Sequence, residues 1–335
     1  MSKHQTLSRL GAGARMLGIA GLLLAALVRP GQAGVREEAR EPGNAGQELN
    51  REPLQSEKVD VVGPSSARAS SEPHWVPFEI IDQGALPIVR ARLNGVDGQR
   101  IVIDVGFKDF ILDTLLVDGS GLKLATQGEV TTIDFYGEEE KVPVAYTQEL
   151  ALGDATFKMV RTYLVEGEDG TGSGGLRSYG RIGRDLFEPL RLTVHYPRRL
   201  LLFEESPPNE VPPGGVTWQA VGRHLLIPVH LGKGDIVQDV ALVLDAGTSS
   251  SIIDRDWAME IGFAQKGQSQ IQVDTFEAGS FHGEKLSLLL GVMKELPYEG
   301  RPVGVIGADV LTTLSVSYDF ARDLVWLTPV DGGPS

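Results

Sequence analysis

The chain carries one pattern twice. Residues 101–113 read Ile-Val-Ile-Asp-Val-Gly-Phe-Lys-Asp-Phe-Ile-Leu-Asp, and residues 242–254 read Leu-Val-Leu-Asp-Ala-Gly-Thr-Ser-Ser-Ser-Ile-Ile-Asp. Both place an apolar run before Asp-small-Gly, and both reach a second Asp nine residues after the first. Further on, Arg181-Ile-Gly-Arg-Asp-Leu186 matches Val305-Ile-Gly-Ala-Asp-Val310. Each match is followed by an alternating run ending in tyrosine, Leu192 to Tyr196 and Leu314 to Tyr318, then by an apolar run, Leu200 to Phe203 and Leu324 to Leu327. Landmarks repeated in one order predict two units of one topology.

The units fall at 74–205 and 215–330, joined by a linker at 206–214 in which four prolines crowd around Asn209 and Glu210. Short apolar or alternating runs between Gly, Asp and Pro predict strands, among them Pro87 to Leu93, Arg100 to Asp104, Leu225 to Leu231 and Val240 to Asp245. Helical segments are few: Asp254 to Ile261, and the stretches after Asp185 and Asp309. The expected fold is all-β, with two similar barrels or sandwiches related by internal duplication.

Residues 1–33 do not read as part of that fold. Lys3, Arg9 and Arg15 precede an apolar run from Met16 to Val28, and Gly31-Gln32-Ala33 follows with small residues. That order is a secretory signal, with an uncleaved N-terminal anchor as the alternative; the run is short for a membrane span. The body is expected to be exported, periplasmic or secreted, with no stable membrane span once the signal is removed. Residues 34–73 are rich in Glu, Gly, Pro, Ser and Arg and read as a disordered linker. Losing the four basic residues of 1–33, which hold no acid, takes the net charge from −14 to −18. Such a body repels phosphate backbones, so no nucleic-acid partner is expected. The chain has no cysteine, which excludes disulfides, thiolate chemistry and Cys-based zinc sites.

Two strands that each deliver an aspartate to a glycine turn define the chemistry. Asp104 and Asp245 end their apolar runs, and Gly106 and Gly247 let the backbone reverse tightly behind them. Two such loops facing each other would hold two carboxylates that cannot both ionise cheaply and so share a proton. One then acts as base toward a trapped water while the other polarises a carbonyl.

The doubled apolar-apolar-Asp-x-Gly loop and the later apolar-Gly-x-Asp resemble the pepsin and retropepsin group of aspartic peptidases over residues 75–330, most closely at Leu244 to Ser250. The resemblance implies a pepsin-like (acid protease) fold of two β lobes, a catalytic dyad of Asp104 and Asp245, and an aspartic endopeptidase acting on a peptide or protein substrate in the inter-lobe cleft. It also implies support of the dyad by Gly106, Gly247 and Thr248, with Ile182-Gly183 and Ile306-Gly307 beneath the loops. A substrate flap is expected at Tyr136-Gly137, with His282-Gly283 as its counterpart in the second unit. Both halves of the site lie in one chain, so a monomer is expected. The departures are Val105 and Ala246, where the family carries Thr or Ser, and Phe107-Lys108, where small or hydroxylated residues are usual. Lys108, turned inward, would hold a neighbouring carboxylate ionised. These departures keep a second reading open: a catalytically impaired pepsin-like protein that holds a peptide or protein in the same cleft.

Other constellations are weak. Gly170 to Gly175 fits a dinucleotide pattern by letter but lacks a following helix, and the six histidines lack metal-ligand spacing. No cofactor and no metal are expected. Asp113, Asp254, Asp185 and Asp309, also paired by the repeat, read as caps of turns or short helices.

Overall fold

In Pro87–Leu93 the first three residues are buried and burial then alternates, as expected for a strand with one face on a core. The computed structural model extends that pattern through residues 67–68, 75–80, 84–133, 139–166, 170–171, 177–188, 190–205, 211–221, 224–293 and 303–330, which are the residues described. Residues 1–33, nearly all of 34–73, and Tyr136-Gly137 lie outside them.

The molecule is all-β, with two closed six-strand barrels in the two-lobe pepsin-like arrangement. In lobe one the ring runs Pro87–Leu93, Val96–Ile103, Gly180–Ile182, Phe110–Asp113, Ala155–Val165 and Glu139–Leu152, then back to the first strand. In lobe two it runs His224–Lys233, Ile236–Leu244, Gly304–Ile306, Ile252–Asp254, Phe281–Gly291 and Gln270–Ala278, closing the same way. The succession of antiparallel and parallel pairings is identical around both rings. Lobe one adds a strand, Ala125–Ile133, that pairs with Glu139–Leu152 outside the ring.

A third sheet of six strands joins the lobes. Its centre pairs Leu190–His195 of the first unit with Leu314–Asp319 of the second, antiparallel, with Val194 opposite Val316. Beside them the hydroxyls of Thr193 and Ser317 lie 2.8 Å apart across the join.

Among the described residues three short α-helices interrupt the strands: α1 (Thr114–Ser120), α2 (Arg255–Glu260) and α3 (Ala308–Leu311). α1 has no clear periodicity because Gly119 sits inside a seven-residue segment. It forms because Asp113 caps it: Oδ1 accepts the Leu115 N–H at 2.7 Å. Asp254 caps α2 in the same place, accepting the Trp257 N–H at 2.9 Å, and its Oδ2 also accepts the Met293 N–H at 2.9 Å. The buried Oδ2 of Asp113 has no such donor. Asp254→Ala should therefore cost about 2–3 kcal/mol and Asp113→Ala about 1 kcal/mol, because the first takes the acceptor from two backbone N–H groups, Trp257 and Met293, and the second from one, Leu115. Urea unfolding of the two variants checks the order, and equal losses would contradict it.

Candidate active site

Each aspartate sits where its strand runs out and a neighbouring strand clamps the turn. The Asp104 N–H donates to the Ile182 carbonyl at 3.0 Å, and the Asp245 N–H to the Ile306 carbonyl at 3.1 Å. Behind each carboxylate the glycine returns a donor: Gly106 N–H to Asp104 Oδ1 at 3.1 Å, Gly247 N–H to Asp245 Oδ1 at 2.8 Å. Gly183 and Gly307 are glycines because of close approach. A Cβ at Gly183 would stand 2.3 Å from the Lys108 carbonyl carbon, and one at Gly307 would stand 2.7 Å from that of Ser250. Ile182-Gly183 and Ile306-Gly307 thus lie directly against the two loops.

Asp104, Val105 and Gly106 share a single small cavity with Asp245 and Ala246. Its volume is about 20 Å³, room for about one water molecule. Leu86 and two tyrosines matched by the repeat, Tyr196 and Tyr318, also line it. The segment carrying Leu86 crosses from lobe one to the lobe-two loop, where the Ala85 N–H donates to the Ala246 carbonyl. Val105 and Ala246 put side chains without hydrogen-bonding capacity on this wall, so bracing of the loops comes from other residues.

In lobe two the brace is hydroxyl-based. Thr248 Oγ1 donates to Asp245 Oδ2 at 2.6 Å. Ser251 Oγ donates to Asp309 Oδ1 at 2.7 Å and accepts the Gly307 N–H at 3.0 Å. Asp309 therefore ties the loop together and, contrary to expectation, does not cap α3, whose N-cap is Gly307 without a side-chain cap; Asp185 likewise sits inside its short turn, whose N-cap is Gly183. In lobe one the positions of Thr248 and Ser251 are Phe107 and Phe110, and arginines take over. Arg181 Nη1 donates to Asp104 Oδ2 at 2.9 Å, with side chains only 16% and 15% exposed. Arg184 Nη1 donates to the Gly106 carbonyl at 3.0 Å. The Phe107 ring lies under the Arg181 guanidinium, 5.4 Å from centroid to Cζ.

The sequence reading placed the possible cation at Lys108; the structure places it at Arg181. Lys108 is 63% exposed and faces Asp185 at 3.8 Å on the outer side of the loop. A second correction concerns His282 and Gly283. They lie within Phe281–Gly291, opposite Glu277 and Phe276, and His282 Nδ1 pairs with Glu277 at 3.1 Å. The adjoining turn packs on residue 214, to which the Ser280 N–H donates at 3.0 Å. By pairing order this hairpin matches the Gly153 turn of lobe one, so it is not the counterpart of a flap at Tyr136-Gly137. The lobe-one strand that leads to Tyr136 has no match in the lobe-two ring.

Burial, and after it the neighbouring Asp104 charge, push the Asp245 carboxyl upward against the lowering hydrogen bonds of Thr248 and Gly247. Burial also raises both tyrosines, reinforced by the charges of Asp104 and Asp245, so the phenols stay neutral. A carboxyl raised in the folded state binds its proton more tightly there than in the unfolded chain. Its contribution to stability is present below the ordinary carboxylate range and is lost as pH rises through the raised value. Asp109 and Asp185, both raised by burial first, add with the same sign. Asp245→Asn should therefore gain in melting temperature relative to wild type at neutral pH and lose that advantage in acid. A constant difference across pH would refute this.

Arg181, Arg184, Tyr196 and Tyr318 were not foreseen as site residues. The signal for them was present in the repeat: Arg181 and Arg184 face Val305 and Ala308 at matched positions, where the flanking Ile-Gly is kept. Among the described residues no three His, Asp or Glu side chains gather as a metal site, and no helix is long and apolar enough to cross a membrane.

The fold is shared with solved structures. The chain is similar to the aspartic proteinase from Irpex lacteus, with a TM-score of 0.51 and 13% identity, covering 79% of this chain and 99% of that one. No family model matches the sequence, and no curated protein sequence matches it. At that identity the likeness establishes the pepsin-like fold.

Proposed function

We propose that the protein is an aspartic-type endopeptidase in which Asp104 and Asp245 activate one water against a peptide bond. The observation that carries this reading is the cavity of about 20 Å³ walled by both aspartates, each held by the same pair of backbone hydrogen bonds. In the reaction one carboxylate removes a proton from the water as its oxygen attacks the carbonyl carbon. The other carboxyl gives its proton to the carbonyl oxygen, and the tetrahedral species collapses when the amide nitrogen is protonated. The likeness to the aspartic proteinase from Irpex lacteus supports the class. The order of basic, apolar and small residues in 1–33 supports an exported location, and both half-sites in one chain support a working monomer.

Incubation with an unstructured polypeptide from acid to neutral pH, with products read by mass spectrometry, tests the reading. Internal cleavage is expected, and no cleavage at any pH would overturn it. The second reading, a cleft that binds a peptide without cutting it, is favoured by Val105 and Ala246 at the cavity wall. It predicts thermal stabilisation by a peptide or a transition-state mimic without turnover.

A further inference from the structure

We infer that Arg181 is a positioning residue that makes the two aspartates unequal, holding the negative charge of the pair on Asp104 and leaving the shared proton to Asp245. The inference rests on the peptidase reading for its catalytic meaning, but not for its electrostatics.

The lobes are matched strand for strand, yet at four matched positions around the dyad the side chains are exchanged in kind. Lobe two has Thr248, Ser251, Val305 and Ala308, while lobe one has Phe107, Phe110, Arg181 and Arg184. Val305 is buried against Leu226 and Val243 and brings no polar atom to Asp245. Arg181, on the equivalent strand, reaches Asp104 Oδ2 at 2.9 Å. Phe107 has surrendered the hydroxyl and supplies instead a flat face for the guanidinium.

The two donors differ in what they tolerate. A threonine hydroxyl donates to a carboxylate and can rotate to accept from a carboxylic acid; a guanidinium only donates. Asp245 Oδ2, opposite Thr248, can therefore carry a proton without losing its partner. Asp104 Oδ2, opposite Arg181, cannot. Its other oxygen is engaged by the Gly106 N–H.

Other groups around the pair do not compensate. Tyr196 and Tyr318, from the joining sheet, are neutral phenols. The charge of His224 lowers the Asp245 carboxyl and is the last of the influences on it. Arg184 is committed to the Gly106 carbonyl, and Lys108, Asp109 and Asp185 form a separate group on the far side of the loop. Arg181 is thus a cation in direct contact with the dyad. With it, Asp104 is the base that takes the water proton and Asp245 the acid that serves the carbonyl.

The test is a titration that does not require turnover. Carboxyl carbon NMR of selectively labelled aspartate, in wild type and Arg181→Met, follows the two proton-loss steps of the pair. Both steps are expected to move to higher pH by about one unit or more in the variant. The double variant Phe107→Thr/Arg181→Val, which rebuilds the lobe-two arrangement in lobe one, should show a displacement in the same direction, smaller by what the new hydroxyl restores, and guards against misfolding of the single one. Superimposable titrations in whichever folded variant is measured would overturn the inference. In parallel, the pH profile of kcat/KM should shift upward with the titration. A wild type that cleaves nothing would sink the peptidase reading, while the NMR result would still decide the role of Arg181.

Discussion

Asp245→Asn is expected to fold normally and to lose between a hundredfold and ten-thousandfold of peptidase kcat/KM, the usual worth of a positioned acid or base. The amide oxygen keeps the Gly247 N–H bond, and the Thr248 hydroxyl can turn to accept from the new NH2, so every neighbour stays satisfied. The amide can neither release nor take up the proton that the pair must pass. Asp104→Asn should lose as much activity but also stability. Its two oxygens are both acceptors, one for the Gly106 N–H and one for Arg181, and an amide offers only one oxygen for two donors. That leaves a largely buried guanidinium against an NH2, at a cost of about 1–3 kcal/mol. The contrast separates a catalytic loss from a folding loss. Wild-type cleavage by Asp245→Asn would remove the dyad from the mechanism, whatever its effect on stability.

The second large effect is expected at a residue outside the cavity wall. Phe187 follows the Gly183 turn, is fully buried, and stacks on Phe203 of the joining sheet at 5.6 Å. It also meets Phe157 of the lobe-one barrel at 6.1 Å and Phe320 of the second unit at 6.2 Å. Phe320 in turn lies flat on Tyr318, 5.7 Å between centroids, and Tyr318 walls the dyad cavity. One ring therefore joins both units to the floor of the site. Phe187→Ala should cost about 3–5 kcal/mol, the range for deleting a fully buried phenylalanine. Activity should fall further than the folded fraction does, because the Phe320–Tyr318 stack loses its support. Denaturant midpoints and single-temperature kinetics measure the two together. Destabilisation below about 1 kcal/mol would mean the stack relaxes to fill the gap.

What the sequence made legible follows from what duplication preserves. The strands around Asp104 and Asp245, the clamping Ile-Gly pairs and the two tyrosine-ended strands are written in matched letters, and the fold brings them together at one centre. The placing of both aspartates on one cavity wall follows from backbone geometry, which the apolar run and the glycine dictate locally. The arginine brace of lobe one was not legible, because it depends on which side chain crosses between strands. Arg181 lies far along the chain from Asp104, and nothing in Arg-Ile-Gly reveals that the guanidinium turns toward the carboxylate. Lys108, nearer in sequence, was the more obvious cation, but the turn points it outward to Asp185. The misplaced flap has a similar origin. Phe281-His282-Gly283 has the letters of a hairpin tip, yet its register with Phe276 to Ala278 puts it in the strand beyond a turn at Gly279-Ser280. α1 escaped because a seven-residue helix is set by its cap more than by periodicity.

The claim on which the rest depends is that two carboxylates from opposite lobes hold one oxygen between them. A crystal structure of the protein with a hydroxyl-bearing transition-state mimic tests it most directly. The hydroxyl oxygen should lie within about 3 Å of both the Asp104 and the Asp245 carboxylates, a hydrogen-bonding distance. A mimic bound with its hydroxyl remote from either carboxylate, or seated elsewhere on the surface, would contradict it.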